Sequence, residues 1–306
     1  MPRLSVPRIG RARGLGADVE LLGLYWTVSG PVEVHVGREW SLFDWADRCA
    51  EARKVGFSGL GIWHADLAHM LETRSLGDLK QVFDDNGLRH IELEFLMDWF
   101  LDAGDERRRA SDVTRRLLFD AAGALNAHHV KVGNIPGVPA ELSQLTECFA
   151  ELCADAAEHT DAKIVYEFMP FDANVKSVDA VLEVVAGAGA PNGGIVIDTW
   201  HMSKLQIEAN DLRRIPIEYL SWVELSDGRL ENMEDLVDET VNHRELPGEG
   251  EFALRSYVEA CRDHGYAGPW GVEVLSEELR NQPIDVIFRR AYETTAAQFG
   301  HERSLA

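Results

Sequence analysis

Four acidic residues stand near the carboxyl ends of apolar, strand-forming runs in the second half of the chain. They are Glu167 in "IVYEFMP", Asp198 in "IVIDTWH", Glu224 in "SWVELSDG" and Glu273 in "WGVEVLS". One such carboxylate reads simply as the N-cap of a following helix, and any single acid can pair with a nearby Lys, Arg or helix end. Four in phase on successive runs ask for a shared purpose. Gathered without a counter-charge, they would repel and lift one another's pKa values. A divalent cation removes that conflict. All-oxygen ligation by Glu167, Asp198, Glu224 and Glu273 favours a hard ion, Mn2+ or Mg2+, over zinc.

The elements that must position these acids follow from hydrophobic period. Strand candidates lie at 20–28, 56–64, 87–96, 127–133, 162–170, 193–201, 219–228 and 268–276. Amphipathic stretches such as "SLFDWADRCAEARKVG", "RRLLFDAAGALNA" and "PAELSQLTECFAELCADAAEHT" separate them, with apolar residues at helical spacing. Glycines in "RKVGF", "DDNGL" and "RDHGYAGPW" mark helix stops. Eight strands alternating with helices predict a (β/α)8 TIM barrel, whose strand carboxyl ends converge on one face. An open doubly wound sheet usually brings a glycine-rich phosphate turn after its first strand, and "YWTVSGPVEVHVG" is no such turn. With no linker, low-complexity segment or internal repeat, residues 1–306 read as one α/β domain, with 1–18 a peripheral N-terminal arm.

Bulk properties narrow the partners. The 306 residues carry a formal net charge of −22 and 45% hydrophobic content. Such a surface repels nucleic acid and anionic membranes unless a basic patch intervenes. The densest basic stretch, "ERRRASDVTRR", has helical spacing and acidic flanks and reads as a solvated helix face. Cys49, Cys148, Cys153 and Cys261 form no CxxC pair and read as small apolar residues in a reducing compartment. The N-terminus is basic but lacks an apolar core for a signal peptide, and no window has the length of a membrane span. The expectation is a cytoplasmic protein with a small-molecule partner; a homo-oligomer remains open.

At the four acids the sequence resembles the sugar phosphate isomerase/epimerase superfamily with the xylose isomerase-like barrel. Its relatives include ketose 3-epimerases, hydroxypyruvate isomerase and inosose dehydratase, and more distantly endonuclease IV. The resemblance runs from the first strand to the last and is most specific in the second half. It implies a metal held by Glu, Asp, His and Glu from the fifth to eighth strands, which fall on Glu167, Asp198, Glu224 and Glu273. "DTWH" matches the family's Asp-x-x-His, whose histidine, here His201, contacts substrate oxygens. "ELPGEGEF" matches its glycine-rich segment before the last helix and strand. One departure stands out. The seventh-strand motif usually reads His-x-x-Asp, and here it is "ELSD", with Glu224 at the histidine's place and Asp227 in its usual one. Glu224 can still ligate through oxygen; otherwise the metal moves or is lost.

Further pocket candidates are Lys131, which could offset excess negative charge or polarise a substrate carbonyl, or form a structural salt bridge, and His64 and Glu94 near strand ends. Trp26 and Trp200, with Trp63, Trp99, Phe168 and Phe171, could make an apolar rim suited to sugar faces or a ring-bearing aglycone. The implied chemistry is proton abstraction next to a carbonyl, the metal chelating substrate oxygens and stabilising an enediolate. Glu167 and Glu273 would act as base and acid. The resulting expectation is a metal-dependent isomerase or epimerase of a sugar, keto-sugar or polyol. The alternative is a lyase or dehydratase acting on an inosose or 3-keto-glycoside. A non-catalytic barrel subunit is the third reading. A DNA-repair endonuclease would need more histidine ligands and a basic groove.

Overall fold

Every one of the eight apolar runs contains a strand. In the computed structural model, which describes residues 19–34 and 37–300, these are β1 Leu21–Gly23, β2 Gly59–Trp63, β3 His90–Leu96, β4 His129–Val132, β5 Lys163–Glu167, β6 Gly193–Asp198, β7 Leu220–Leu225 and β8 Trp270–Val272. Neighbours in sequence pair in parallel, and β1 pairs with β8 to close the barrel. The fold is a TIM barrel, as the alternation of strand and helix predicts. The N-terminal arm at 1–18 lies outside the described residues.

All eight strands are shorter than their apolar runs, and two of them end for a visible local reason. The first stops at Gly23 because Tyr25–Val28 forms a helical turn. The Thr27 hydroxyl pins that turn to the last strand, donating to Val272 O at 2.7 Å and accepting from Val274 N at 2.7 Å. The sixth stops at Asp198, whose side chain caps the helix Thr199–Lys204.

Helix ends follow the local chemistry of the sequence. Asp44, Asp105 and Ser177 cap helices from the side chain, and Ser75 with Asp78 makes a reciprocal capping box. The stop glycines Gly56 and Gly265 adopt φ of +113° and +102°, a region that costs other residues strain. The basic stretch "ERRRASDVTRR" lies in the helix Glu106–Leu125, where Arg108 and Arg115 pair with Asp112. No helix among the described residues is long and apolar enough to cross a membrane.

The main core lies between strands and helices. Ile91, Leu93, Leu118, Phe119, Phe149 and Ile164 are all within 1% of full burial there. Truncating one such aromatic to alanine typically costs about 3–5 kcal/mol. Inside the barrel the filling is mixed. Leu22, Leu24, Val165, Val196 and Trp222 form a small apolar plug. Because side chains alternate along a strand, the residues two places on from Val165, Val196 and Trp222 share the same inward face. Those residues are Glu167, Asp198 and Glu224. The apolar plug therefore serves as the floor beneath a ring of carboxylates.

Candidate metal centre

The four strand-end acids meet. Glu167, Asp198, Glu224 and Glu273 are buried, and one carboxylate oxygen from each lies within 4.8 Å of the others. Register explains why: Asp198 on β6 pairs with Glu224 on β7, and Glu224 pairs with Gly271, two residues before Glu273. A second grouping, Glu167, Asp198 and His201, satisfies the same limit.

Asp198 performs both tasks that its position suggested. Its Oδ1 accepts from Trp200 N at 2.6 Å, capping the helix. Its Oδ2 faces the cluster and accepts from Arg244 Nη1 at 2.8 Å. His201, one turn into that helix, brings Nε2 to 3.2 Å from Glu167 Oε1.

Lys131 on β4 lies at the centre of the acids. Its Nζ donates to Glu273 Oε1 at 2.7 Å and Glu224 Oε1 at 2.9 Å. Glu94 Oε2 is 3.0 Å away, Glu92 Oε1 3.5 Å and Glu167 Oε2 3.7 Å. Six buried carboxylates, at Glu92, Glu94, Glu167, Asp198, Glu224 and Glu273, thus face two buried cations, Lys131 and Arg244.

This imbalance separates the acids. Burial pushes Glu94 and Glu224 well above the usual carboxylate range, further than Lys131 can draw them down. Burial and Glu167 likewise raise Glu273 despite Lys131. For Glu167, burial is outweighed by Lys131 and the His201 hydrogen bond, which hold it below its ordinary value. Asp198 is held down in the same way by Arg244 and His201. Glu92 is pushed up to about 7 by burial.

The residues present fit a divalent ion. Four oxygens can share one coordination sphere of about 2.0–2.6 Å radius, the acids outnumber the cations, and Glu224 Oε2 is buried without a hydrogen-bond partner. An unpaired buried carboxylate oxygen is costly, and a cation would relieve it.

Above the acids opens a cavity lined by the polar side chains of Glu94, Glu167, His201, Arg244 and Glu273. Its walls are apolar: Trp26, Trp63, Phe95, Met169, Phe171 and Leu275 are among them. Trp26 and Trp63 pack with ring centroids 4.7 Å apart.

Three of the sequence candidates do not line the cavity. Trp200 is fully buried behind the cavity, packed with Phe252 and Leu254, because the helix begun at Asp198 turns it away from the mouth. His64 begins a helix after β2 with Nδ1 3.4 Å from Phe95 N and is not a cavity-wall residue. Lys131 is also off the cavity wall, enclosed by the carboxylates whose negative charge it offsets. Trp26, Glu94 and His201 do face the cavity.

Two charged residues escaped sequence reasoning. Glu92 sits one inward position below Glu94 on β3 and could have been found by period 2. Arg244 immediately precedes "ELPGEGEF" and reaches the acids only because that loop folds back. Asp227 organises the fold-back: Oδ1 accepts from Gly228 N at 2.8 Å and Phe252 N at 2.9 Å, and Oδ2 from Gly248 N at 2.9 Å. A Cβ at Gly250 would collide with Asp227 Oδ1 and Gly228 N, so the close approach requires glycine. Thr240 Oγ1 then fixes Arg244, accepting from Nη2 at 2.9 Å.

Comparison with known proteins agrees with this architecture. Over 233 residues the chain is 26% identical to a 3-dehydroshikimate dehydratase of Pseudomonas aeruginosa, covering 75% of this chain and 36% of that protein. The chain thus spans about a third of that curated relative's length. It is 25% identical over 251 residues to an inosose isomerase of Halalkalibacterium halodurans, covering 79% and 86% of the two. Among solved structures it resembles the IolI protein with a bound zinc atom, at a TM-score of 0.77, 18% identity and coverage of 92% and 98%. The model of the xylose isomerase-like TIM barrel matches residues 49–294, most of the chain. The chain belongs to the xylose isomerase-like TIM barrel family.

Proposed function

We propose that the chain is a divalent-metal-dependent isomerase or epimerase of a sugar, keto-sugar or polyol, acting by proton abstraction next to a carbonyl. The observation that carries this reading is the pair Glu167 and Glu273. Both face one cavity, and their surroundings push their pKa values in opposite directions. Such divergence separates a base from an acid. Glu167, held ionised by Lys131 and His201, takes the proton; Glu273, raised by burial, gives one. A positioned group of this kind contributes about 10²–10⁴-fold.

Glu167, Asp198, Glu224 and Glu273 hold the ion, and their oxygen donors favour Mn2+ or Mg2+. When bound, it supplies positive charge to the substrate oxygen on which negative charge develops. His201 and Arg244 offer hydrogen-bond donors to substrate oxygens, and Trp26 and Trp63 cover an apolar face and exclude water. The similarity to an inosose isomerase supports a cyclic polyol ketone or a related sugar as substrate. The four cysteines are free, consistent with a cytoplasmic enzyme.

A second reading, a lyase or dehydratase on an inosose or 3-keto-glycoside, shares the first step and is favoured by the similarity to a dehydratase. Incubating the Mn2+-loaded protein in D2O with ketoses, inososes and 3-keto-glycosides tests both. Deuterium uptake at the carbon next to the carbonyl is expected. An unchanged product mass, apart from deuterium, marks isomerisation; loss of water or aglycone marks elimination. No uptake from any substrate class removes both readings.

A further inference from the structure

Lys131 is fully buried and enclosed by acids, and it does not line the cavity. An ammonium has three hydrogens to give. Here the three nearest oxygens are Glu273 Oε1 at 2.7 Å, Glu224 Oε1 at 2.9 Å and Glu94 Oε2 at 3.0 Å. Two of the three belong to the acids that would hold a metal. Glu224 Oε1 also accepts from Trp222 Nε1 at 2.9 Å, which uses both of its lone pairs. Glu224 Oε2 is the oxygen left without a partner.

We propose that Lys131 is a resident cation of the carboxylate nest that shares Glu224 and Glu273 with the divalent ion. It thereby sets the ion's affinity and leaves Glu224 a ligand through Oε2 alone. The inference rests on the metal reading above. A strand-end glutamate could ordinarily chelate through both oxygens; the lysine and the Trp222 indole remove that option and fix the carboxylate's orientation. The positive charge of Lys131, in contact with these carboxylates, would also oppose a cation electrostatically. Lys131 is therefore a positioning and affinity-setting residue, distinct from the groups that touch substrate.

The test is Mn2+ binding to the intact chain, followed by calorimetric titration and by the electron paramagnetic resonance signal of free Mn2+. Four proteins are compared: wild type, Lys131→Met, Glu224→Gln and the double variant. Removing Lys131 is expected to tighten binding by at least about tenfold, one pKa unit's worth of interaction. Glu224→Gln is expected to weaken it by a similar factor, and the double variant to return near wild type. Should Lys131→Met fail to fold with its acids unpaired, Glu224→Gln against the double variant measures the same removal in a background of matched charge. Binding that is unchanged or weaker after loss of Lys131 overturns the inference while leaving the metal reading intact. Absence of Mn2+ binding in all four proteins overturns both. A wild type that binds none while a variant lacking Lys131 does would show the lysine excluding the ion, which overturns both the sharing and the metal reading of the native protein.

Discussion

The Asp198 carboxylate meets the Arg244 guanidinium at 2.8 Å across 46 residues of sequence. Both groups are buried, at 1% and 3% exposure, and Arg244 Nη1 also lies 3.2 Å from Glu273 Oε2. Removing one partner of a buried ion pair strands the other's charge and costs about 3–5 kcal/mol. Arg244→Leu should therefore lower the melting temperature of the metal-free protein clearly. Saturating Mn2+ should restore much of the loss, because a bound ion stabilises the folded state by mass action. An unchanged melting temperature without metal would show that Asp198 and Glu273 do not depend on Arg244.

Glu273 allows ligand and catalyst to be separated. Glu273→Gln keeps shape and one oxygen donor but removes the charge and the ability to give or take a proton. The variant should fold and keep some metal affinity, since three carboxylates remain. Turnover should fall by at least about 10²-fold. Full metal binding with near-normal turnover would assign Glu273 to ligation alone and leave the proton to Glu167 or His201.

Glu224 decides the hardness of the donor set. Glu224→Ala should weaken metal binding. Glu224→His should retain a metal while shifting preference from Mg2+ and Mn2+ toward Zn2+, because imidazole is the softer donor. Competition titrations between Mn2+ and Zn2+ read the shift directly. Equal affinities in wild type and both variants would mean that Glu224 ligates nothing.

Beneath the site, His128 predicts an acid limit to stability. Burial, with His90 and Lys163 nearby, holds its pKa down to about 4. In the unfolded chain the same imidazole takes a proton near pH 6.5. Between those values the unfolded state binds more protons, so stability falls as pH drops from 6.5 towards 4, by about 3 kcal/mol in all. His129, in contact with His128 through Nδ1 at 2.9 Å and fully buried, shifts in the same direction and adds to the trend. Denaturant unfolding across this range measures the slope. His128→Phe should flatten it, and an equally steep slope in the variant would place the effect elsewhere.

Much of this protein is legible in its sequence because the deciding forces are local. The alternation of apolar runs and amphipathic stretches reports strand and helix directly, and glycines at 56 and 265 report helix ends through backbone freedom. An acid at the same phase of successive parallel strands must project to the same face, so the meeting of Glu167, Asp198 and Glu224 follows from period and register. The tertiary structure decided what surrounds them. Lys131 carries no local sign of whether it points to substrate or to carboxylates; that depends on the inward faces of β3 and β7 and on strand β8, which close around it only in the barrel. Arg244 joins the site because Asp227 and Gly250 fold a loop back over the strand ends, a contact between segments far apart in sequence. Trp200 stands next to a strand end, but the helix starting there packs it against Phe252 and Leu254 behind the cavity. Local pattern determines which face a strand residue takes, whereas the partner of a buried charge is chosen by the cost of leaving it unpaired in the assembled interior.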